Sequence, residues 1–279
     1  MAQPSQSFTS SFRRMGIHPG SIPYPLIICF HGSGDSCDSW EPLTRLLTDT
    51  YRLLLWDRKD PNVKPETAVS DLLKYLDDEK LSESYVLVAH SYGGTFARLF
   101  LDKRPHQVAG MVLAETGQET AIDPEMEKRQ YKKRIMGNKP LVVIRGNTLK
   151  WKQLQYEQAL ASEQNLASPT LTIQKQLLDA TDKEDERLKK AQLQLSRNNR
   201  YMHLPDVGHG VIRETPEVVK EAIYWVMGRL KDGDDEELED ETQSSASESD
   251  TSAKKSFGRR LRRVKKISLL TRLFKKSDG

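Results

Sequence analysis

Six short apolar runs, each bounded by turn residues, limit what this chain can become. They are YPLIICFH (24–31), YRLLLWD (51–57), YVLVAH (85–90), VAGMVLAE (108–115), PLVVIRG (140–146) and RYMHLPD (200–206). Each has the length of a strand, and most are apolar at successive positions rather than at alternate ones. Strands of that kind are buried on both faces, as in a parallel sheet covered by helices on either side. Apolar residues at helical spacing fill several gaps, at 67–76, 95–103 and 216–230. The last opens with Pro216 at the first helical position and Thr215 as the expected N-cap. Strand and helix in alternation predict an α/β fold, with a mostly parallel central sheet and helices on both faces. The polar, helix-prone stretch between Gly146 and Arg200 reads as an insertion above the sheet or a long surface helix.

Charge is distributed unevenly along the 279 residues. From Asp232 to Asp250 there are ten acids and no base, and from Thr251 onward there are eleven bases and one acid, Asp278. Residues 1–231 keep 32 bases against 29 acids, so the body is nearly neutral and the basic balance belongs to the tail. Three parts follow: a folded domain over 1–231, an acidic linker over 232–253 that is too polar to bury a core, and a basic tail over 254–279. In the tail, Phe257, Leu261, Val264, Ile267, Leu270 and Phe274 step by three or four among Arg and Lys. That is a basic amphipathic helix, with an anionic membrane surface as its expected partner; the alternatives are no defined partner beyond the neighbouring acidic run, and a protein or nuclear-import partner. No nucleic-acid partner is expected.

No apolar stretch reaches the roughly 18 residues of a membrane span, and residues 1–21 lack the apolar core of a secretory signal. They are Ser-rich with Arg13 and Arg14, which faintly suggests a mitochondrial presequence; an extension or a first strand fits better. A cytoplasmic location follows, with peripheral attachment to membrane through the tail. Cys29 lies in an apolar run and reads as a small buried hydrophobe; with Cys37 it makes neither a disulfide framework nor a zinc site. No metal or cofactor motif is present.

The third run continues as YVLVAHSYGG: strand, small residue, His, Ser, Tyr, two glycines, helix. That order is a nucleophile elbow, a tight turn that needs small residues two before and two after the serine. Ala89 and Gly93 meet the need, and Ser91 is the candidate nucleophile; a serine that merely caps the next helix is the alternative. His209, in DVGHGVIRETPEVV, lies between the last strand and the last helix, from where an imidazole can reach the elbow. The strand end HGSGDSCDSW (31–40) would bring a backbone N–H beside the serine, which makes the amides of Ser33 and Tyr92 the candidate oxyanion hole.

Together these stretches resemble the α/β-hydrolase fold family of serine hydrolases over about residues 20–230. YRLLLWDRKD resembles that family's strand followed by Asp-Arg, and GHGVIRETPEVVKEAI its histidine loop and final helix. The acid departs from the commonest pattern, which puts an Asp just after the strand PLVVIRG; here Asn147, Thr148, Leu149 and Lys150 follow. Glu115, ending the preceding strand, is the expected acid, because it keeps the order nucleophile, acid, histidine. Asp123 is the second choice and Asp206 the third. The resemblance implies a hydrolase that cleaves a carboxylic ester, thioester or amide of a small molecule or lipid through an acyl-enzyme. An inactive binding or scaffold protein and an aminopeptidase of the same fold are the alternatives. Specificity is expected in 116–139 and 147–199. The basic runs 132–134 and 189–190 read as solvated helix faces.

Overall fold

A computed structural model describes residues 11–16, 25–58, 63–81, 84–117, 122–162 and 169–244, the last fourteen of these by backbone alone. The elements run β1 (Phe12–Gly16), β2 (Leu26–Phe30), α1 (Glu41–Arg45), β3 (Arg52–Trp56), α2 (Pro65–Asp78), β4 (Tyr85–His90) and α3 (Gly93–Lys103). They continue β5 (Val108–Ala114), α4 (Pro124–Lys133), β6 (Leu141–Arg145), α5 (Lys150–Ser162), α6 (Pro169–Ala191), β7 (Asn199–His203), α7 (Val211–Glu214) and α8 (Pro216–Ser244). Contacts divide the chain into two units, Met1–Lys231 and Asp232–Gly279.

The seven strands form one sheet in the order β1-β3-β2-β4-β5-β6-β7. Only β1 runs antiparallel to its neighbour. The apolar runs are the six parallel strands, and period two divides each between two cores. Leu26, Ile28 and Phe30 of β2, with Tyr85, Leu87 and Ala89 of β4, face α2 and α3 through Leu72, Leu76, Phe96 and Phe100. Ile27, Cys29, Val86 and Val88 face the opposite layer, where Trp40, Leu43, Ile212, Val219, Ile223 and Val226 lie. Continuous hydrophobicity in the strands is thus the consequence of burial on both sides.

β1 is a polar edge strand, FRRMG, mostly exposed along its length. Arg13 pairs with Asp38 at 3.0 Å and Arg14 with Glu79 at 2.7 Å, so its outer side carries charge where a bare edge would invite another strand. The stretch beyond β6 forms two helices, α5 and α6, not one. Trp151, Leu154, Ile173 and Leu177 on these helices are exposed. α8 begins at Pro216, directly after Thr215, and the Thr215 hydroxyl donates to the Val211 carbonyl at 3.2 Å, closing the short α7.

α8 continues to Ser244, into the run expected to begin a linker at 232. The reason is local: the run DDEELEDETQS has no proline, and Glu and Leu are good helix formers. The rest of the linker and the whole basic tail over 254–279 lie outside the described residues. Among the described residues, no helix is long and apolar enough to cross a membrane.

Candidate active site

Strands β4 and β5 are neighbours, and both end in a residue with a left-handed backbone. Ser91 has φ +51° and Glu115 φ +55°. Such a conformation costs a side-chain-bearing residue about 1 kcal/mol or more, so it persists only where the surroundings enforce it. Here the sheet ladder does so: the Ser91 N–H donates to the Ala114 carbonyl at 3.1 Å, and the Glu115 N–H to that of Ile144 at 2.9 Å. The turn lifts each side chain off the sheet at the carboxyl ends of the strands. After Ser91 the chain enters α3 at once, and Gly93 passes so near β2 that a Cβ there would lie 2.0 Å from the Phe30 carbonyl oxygen. The second glycine makes room for Thr116, whose Cβ would be 2.7 Å from a Cβ on Gly94. The two glycines therefore seat the elbow against the loop after β2 and against the loop after β5.

His209 reaches across from the loop between β7 and α7. Its Nε2 lies 2.9 Å from Ser91 Oγ and its Nδ1 3.0 Å from Glu115 Oε2. A carboxylate only accepts, so Nδ1 carries the hydrogen and Nε2 is left to accept the serine hydroxyl. The Glu115 side chain is fully buried, whereas that of His209 is 42% exposed. Glu115 is held by more than the imidazole: Oε1 accepts the Gly146 N–H at 2.6 Å, and Oε2 accepts the Thr148 hydroxyl at 2.8 Å. Lys189 Nζ stands 3.8 Å from Oε1. Burial alone would raise the carboxyl's pKa; His209, Lys189, Thr148 and Gly146 outweigh it and hold it below the usual carboxylate range.

The other candidate acids stand elsewhere. Asp123 caps α4, accepting the Glu125 N–H at 3.1 Å, and Asp206 is exposed, its carbonyl taking the Lys150 ammonium at 2.7 Å. Lys189 corrects an expectation, for its side chain is fully buried instead of solvated. It lies 2.9 Å from Asp185, which accepts from Arg145 Nε at 2.8 Å, while Arg145 also binds Asp182. The buried cations Lys189 and Arg145 face the buried anions Asp185 and Glu115, with the half-exposed Asp182 at the rim, and this pairing is what makes their burial tolerable. A lone lysine in a charged helix offers no sequence signal of burial; only its spacing of four from Asp185 hinted at a pair. By contrast Lys132, Lys133 and Arg134 are exposed.

The HGSG loop closes on the serine: a Cβ on Gly32 would lie 3.2 Å from Ser91 Cβ. Among the described residues, neither the Ser33 nor the Tyr92 amide donates to another protein group. His90, read from sequence as filler in the elbow, donates from Nε2 to the His209 carbonyl at 2.8 Å and so ties the histidine loop to β4. Its Nδ1 faces Asp35 Oδ2 at 3.9 Å, and Asp35 also pairs with Arg213. A cavity of about 650 Å³ beside α5 and α6 is lined by Thr148, Leu149, Lys152, Ala180 and Leu188, so it reaches the partner of Glu115 rather than Ser91.

Burial pushes the imidazoles of His31 and His90 below their ordinary pKa. In the unfolded chain both take up protons near pH 6.5. The unfolded state then binds more protons than the folded one as pH falls, so stability is lost on the acid side. Unfolding free energy from denaturant titrations is expected to start falling below about pH 6.5, before any ordinary carboxylate titrates. Glu115 adds to the loss as pH passes through the usual Glu range toward its lower folded value. A stability profile flat between about pH 7 and 5 would contradict this.

A family model described as the alpha/beta hydrolase fold matches residues 25–143, from the start of β2 through the middle of β6. This chain has the α/β-hydrolase fold. Among solved structures, MenH from S. aureus is similar at 13% identity and a TM-score of 0.51, over 80% of this chain and 99% of that one. Est816, described as an N-acyl homoserine lactone degrading enzyme, is similar at 12% identity and a TM-score of 0.50, over 76% and 95%. Among curated proteins, the probable transporter efuK of Hormonema carpetanum is 24% identical over 73% of this chain, which spans only 39% of that protein. The uncharacterized protein YqjL of Bacillus subtilis is 23% identical over 70% of this chain and 80% of its own length. The carboxylate that meets His209 follows β5, one strand before the position usual in the family that the sequence resembles. At that usual position, after β6, Asn147 turns its side chain to the Leu149 N–H and to Gln153.

Proposed function

We propose that this chain is a serine hydrolase, cleaving a carboxylic ester, thioester or amide of a small molecule or lipid through an acyl-enzyme on Ser91. One observation carries the reading: the unbroken relay from Ser91 Oγ through His209 to the buried Glu115, with separations of 2.9 and 3.0 Å. In this mechanism Ser91 Oγ attacks the acyl carbonyl and gives its proton to His209 Nε2. The amides of Ser33 and Tyr92 hold the oxygen that gains the negative charge. His209 then passes the proton to the leaving group, and the bond between that group and the acyl carbon breaks. Water attacks the acyl-enzyme, gives one proton to His209, and leaves the carboxylic acid and a restored Ser91. Glu115 keeps the imidazole in its working tautomer and stabilises the imidazolium.

A likeness to MenH and Est816 supports the fold's suitability for acyl chemistry, and the lactone named for Est816 is an ester. The test is covalent. A fluorophosphonate probe is expected to label the full-length protein once, and peptide mass analysis to put the label on Ser91. A protein left unlabelled, or labelled at another serine, would remove the reading and leave a binding protein on a hydrolase scaffold.

A further inference from the structure

Arg58 follows β3 and lies across the far side of the HGSG loop. Its Nη2 donates to the His31 carbonyl at 2.6 Å and to the Gly32 carbonyl at 3.0 Å. Its own backbone N–H points at His31 Nε2 from 3.2 Å, so that nitrogen accepts and Nδ1 carries the ring hydrogen. His31 Nδ1 in turn lies 2.8 Å from the Gly32 carbonyl oxygen. The central carbon of the guanidinium lies 4.1 Å from the centroid of the Phe96 ring of α3. One carbonyl, that of Gly32, thus receives two donors, one of them a cation.

That carbonyl belongs to the peptide whose nitrogen is Ser33. A peptide is planar and trans, so its C=O and N–H point in opposite directions. Tying the Gly32 oxygen back to Arg58 and His31 turns the Ser33 N–H the other way. Gly32 itself lies against Ser91 Cβ. A cation on the oxygen also polarises the amide and strengthens its N–H as a donor.

We propose that Arg58 is a positioning residue of the oxyanion hole, holding the Gly32–Ser33 peptide by its carbonyl so that the Ser33 N–H faces the acyl oxygen. The assignment rests on the acyl-transfer reading above. One guanidinium nitrogen, Nη2, meets both carbonyls while the rest of the group lies over the Phe96 ring, a stacked position that a compact ammonium does not fill.

The test compares wild type, Arg58→Lys and Arg58→Met in the full chain, with a fluorophosphonate probe and with p-nitrophenyl acetate. Both reagents place a developing negative oxygen in the hole. Arg58→Met is expected to slow labelling and to lower kcat by about 10- to 100-fold, less than the loss of a whole oxyanion donor. KM should stay within about twofold and the final labelled fraction should match wild type, because the relay through His209 is untouched. Arg58→Lys, which keeps the cation but not the planar group over Phe96, should fall between the two; it also serves should the methionine variant not fold. A residue that only supports the fold would instead lower the melting temperature and the labelled fraction together, with the rate of the folded fraction unchanged. That outcome, or a variant labelling at the wild-type rate, overturns the assignment while the hydrolase reading stands. A wild type that takes no label overturns both.

Discussion

Ser91→Ala should lower turnover of an activated ester by about a millionfold, and His209→Ala by nearly as much. In the proposed mechanism the two residues act on one event, the transfer of a proton from Oγ to Nε2, which lie 2.9 Å apart. Without the hydroxyl no acyl-enzyme forms, and without the imidazole the hydroxyl is too weak a nucleophile at neutral pH. Losses from groups that act as a unit do not add, so the double variant should be no slower than the worse single one. Residual activity above the uncatalysed rate would come from the Ser33 and Tyr92 amides. Neither substitution should disturb the fold, since Ser91 adopts its left-handed turn through backbone bonds that alanine also makes. Steady-state kinetics on the two single variants and the double variant decide the matter. Additive losses, or a Ser91→Ala protein that still turns over, would contradict it.

Glu115→Gln should cost about ten-thousandfold in kcat with the serine still present. Four donors converge on this carboxylate: the Gly146 amide, the Thr148 hydroxyl, the His209 ring and, at longer range, the Lys189 ammonium. A carboxylate has two accepting oxygens for them, whereas an amide has one and turns an NH2 toward the rest. If the Gln oxygen stays with Gly146, the NH2 faces His209 and selects the tautomer with its hydrogen on Nε2, which cannot accept from Ser91. If it turns to His209, the Gly146 amide is left buried without a partner, at about 1–3 kcal/mol. Either way the negative charge that stabilises the imidazolium is lost. The variant should therefore be both slow and less stable, in contrast to Ser91→Ala. Kinetics and thermal melts on the same preparations test this; a Gln variant with near-normal kcat would move the acid's role to another residue.

The parallel strands were legible because double-sided burial writes itself as unbroken hydrophobicity. β1 was legible only as one of two readings, an extension or a first strand, since an edge strand carrying Arg13 and Arg14 has the composition of a loop and its pairing with β3 makes it a strand. The pair α5 and α6 was legible as helix-prone sequence but not as two helices. The turns at Ser91 and Glu115 are cramped, and cramped turns restrict residue type, so the candidates that the fold brings together with His209 could be picked out from local context. Their supports could not. Arg58, Thr148 and Lys189 are ordinary polar residues in ordinary polar sequence, and their roles come from partners 26 to 74 residues away. His90 was visible yet misjudged, because its partner is a backbone carbonyl, which no side-chain pattern announces.

The buried group of Lys189, Asp185 and Arg145 sets where this protein can be recombined with its relatives. Residues from Lys150 to about 180 carry none of those three charges, so exchanging them for another protein's segment would leave the ion group in place. A splice drawn further along, past Asp185 and Lys189, would take both partners of that ion group out of the chain and leave Arg145 and Glu115 facing a foreign helix. The natural seam for grafting a new specificity therefore runs through the middle of α6, not at its end.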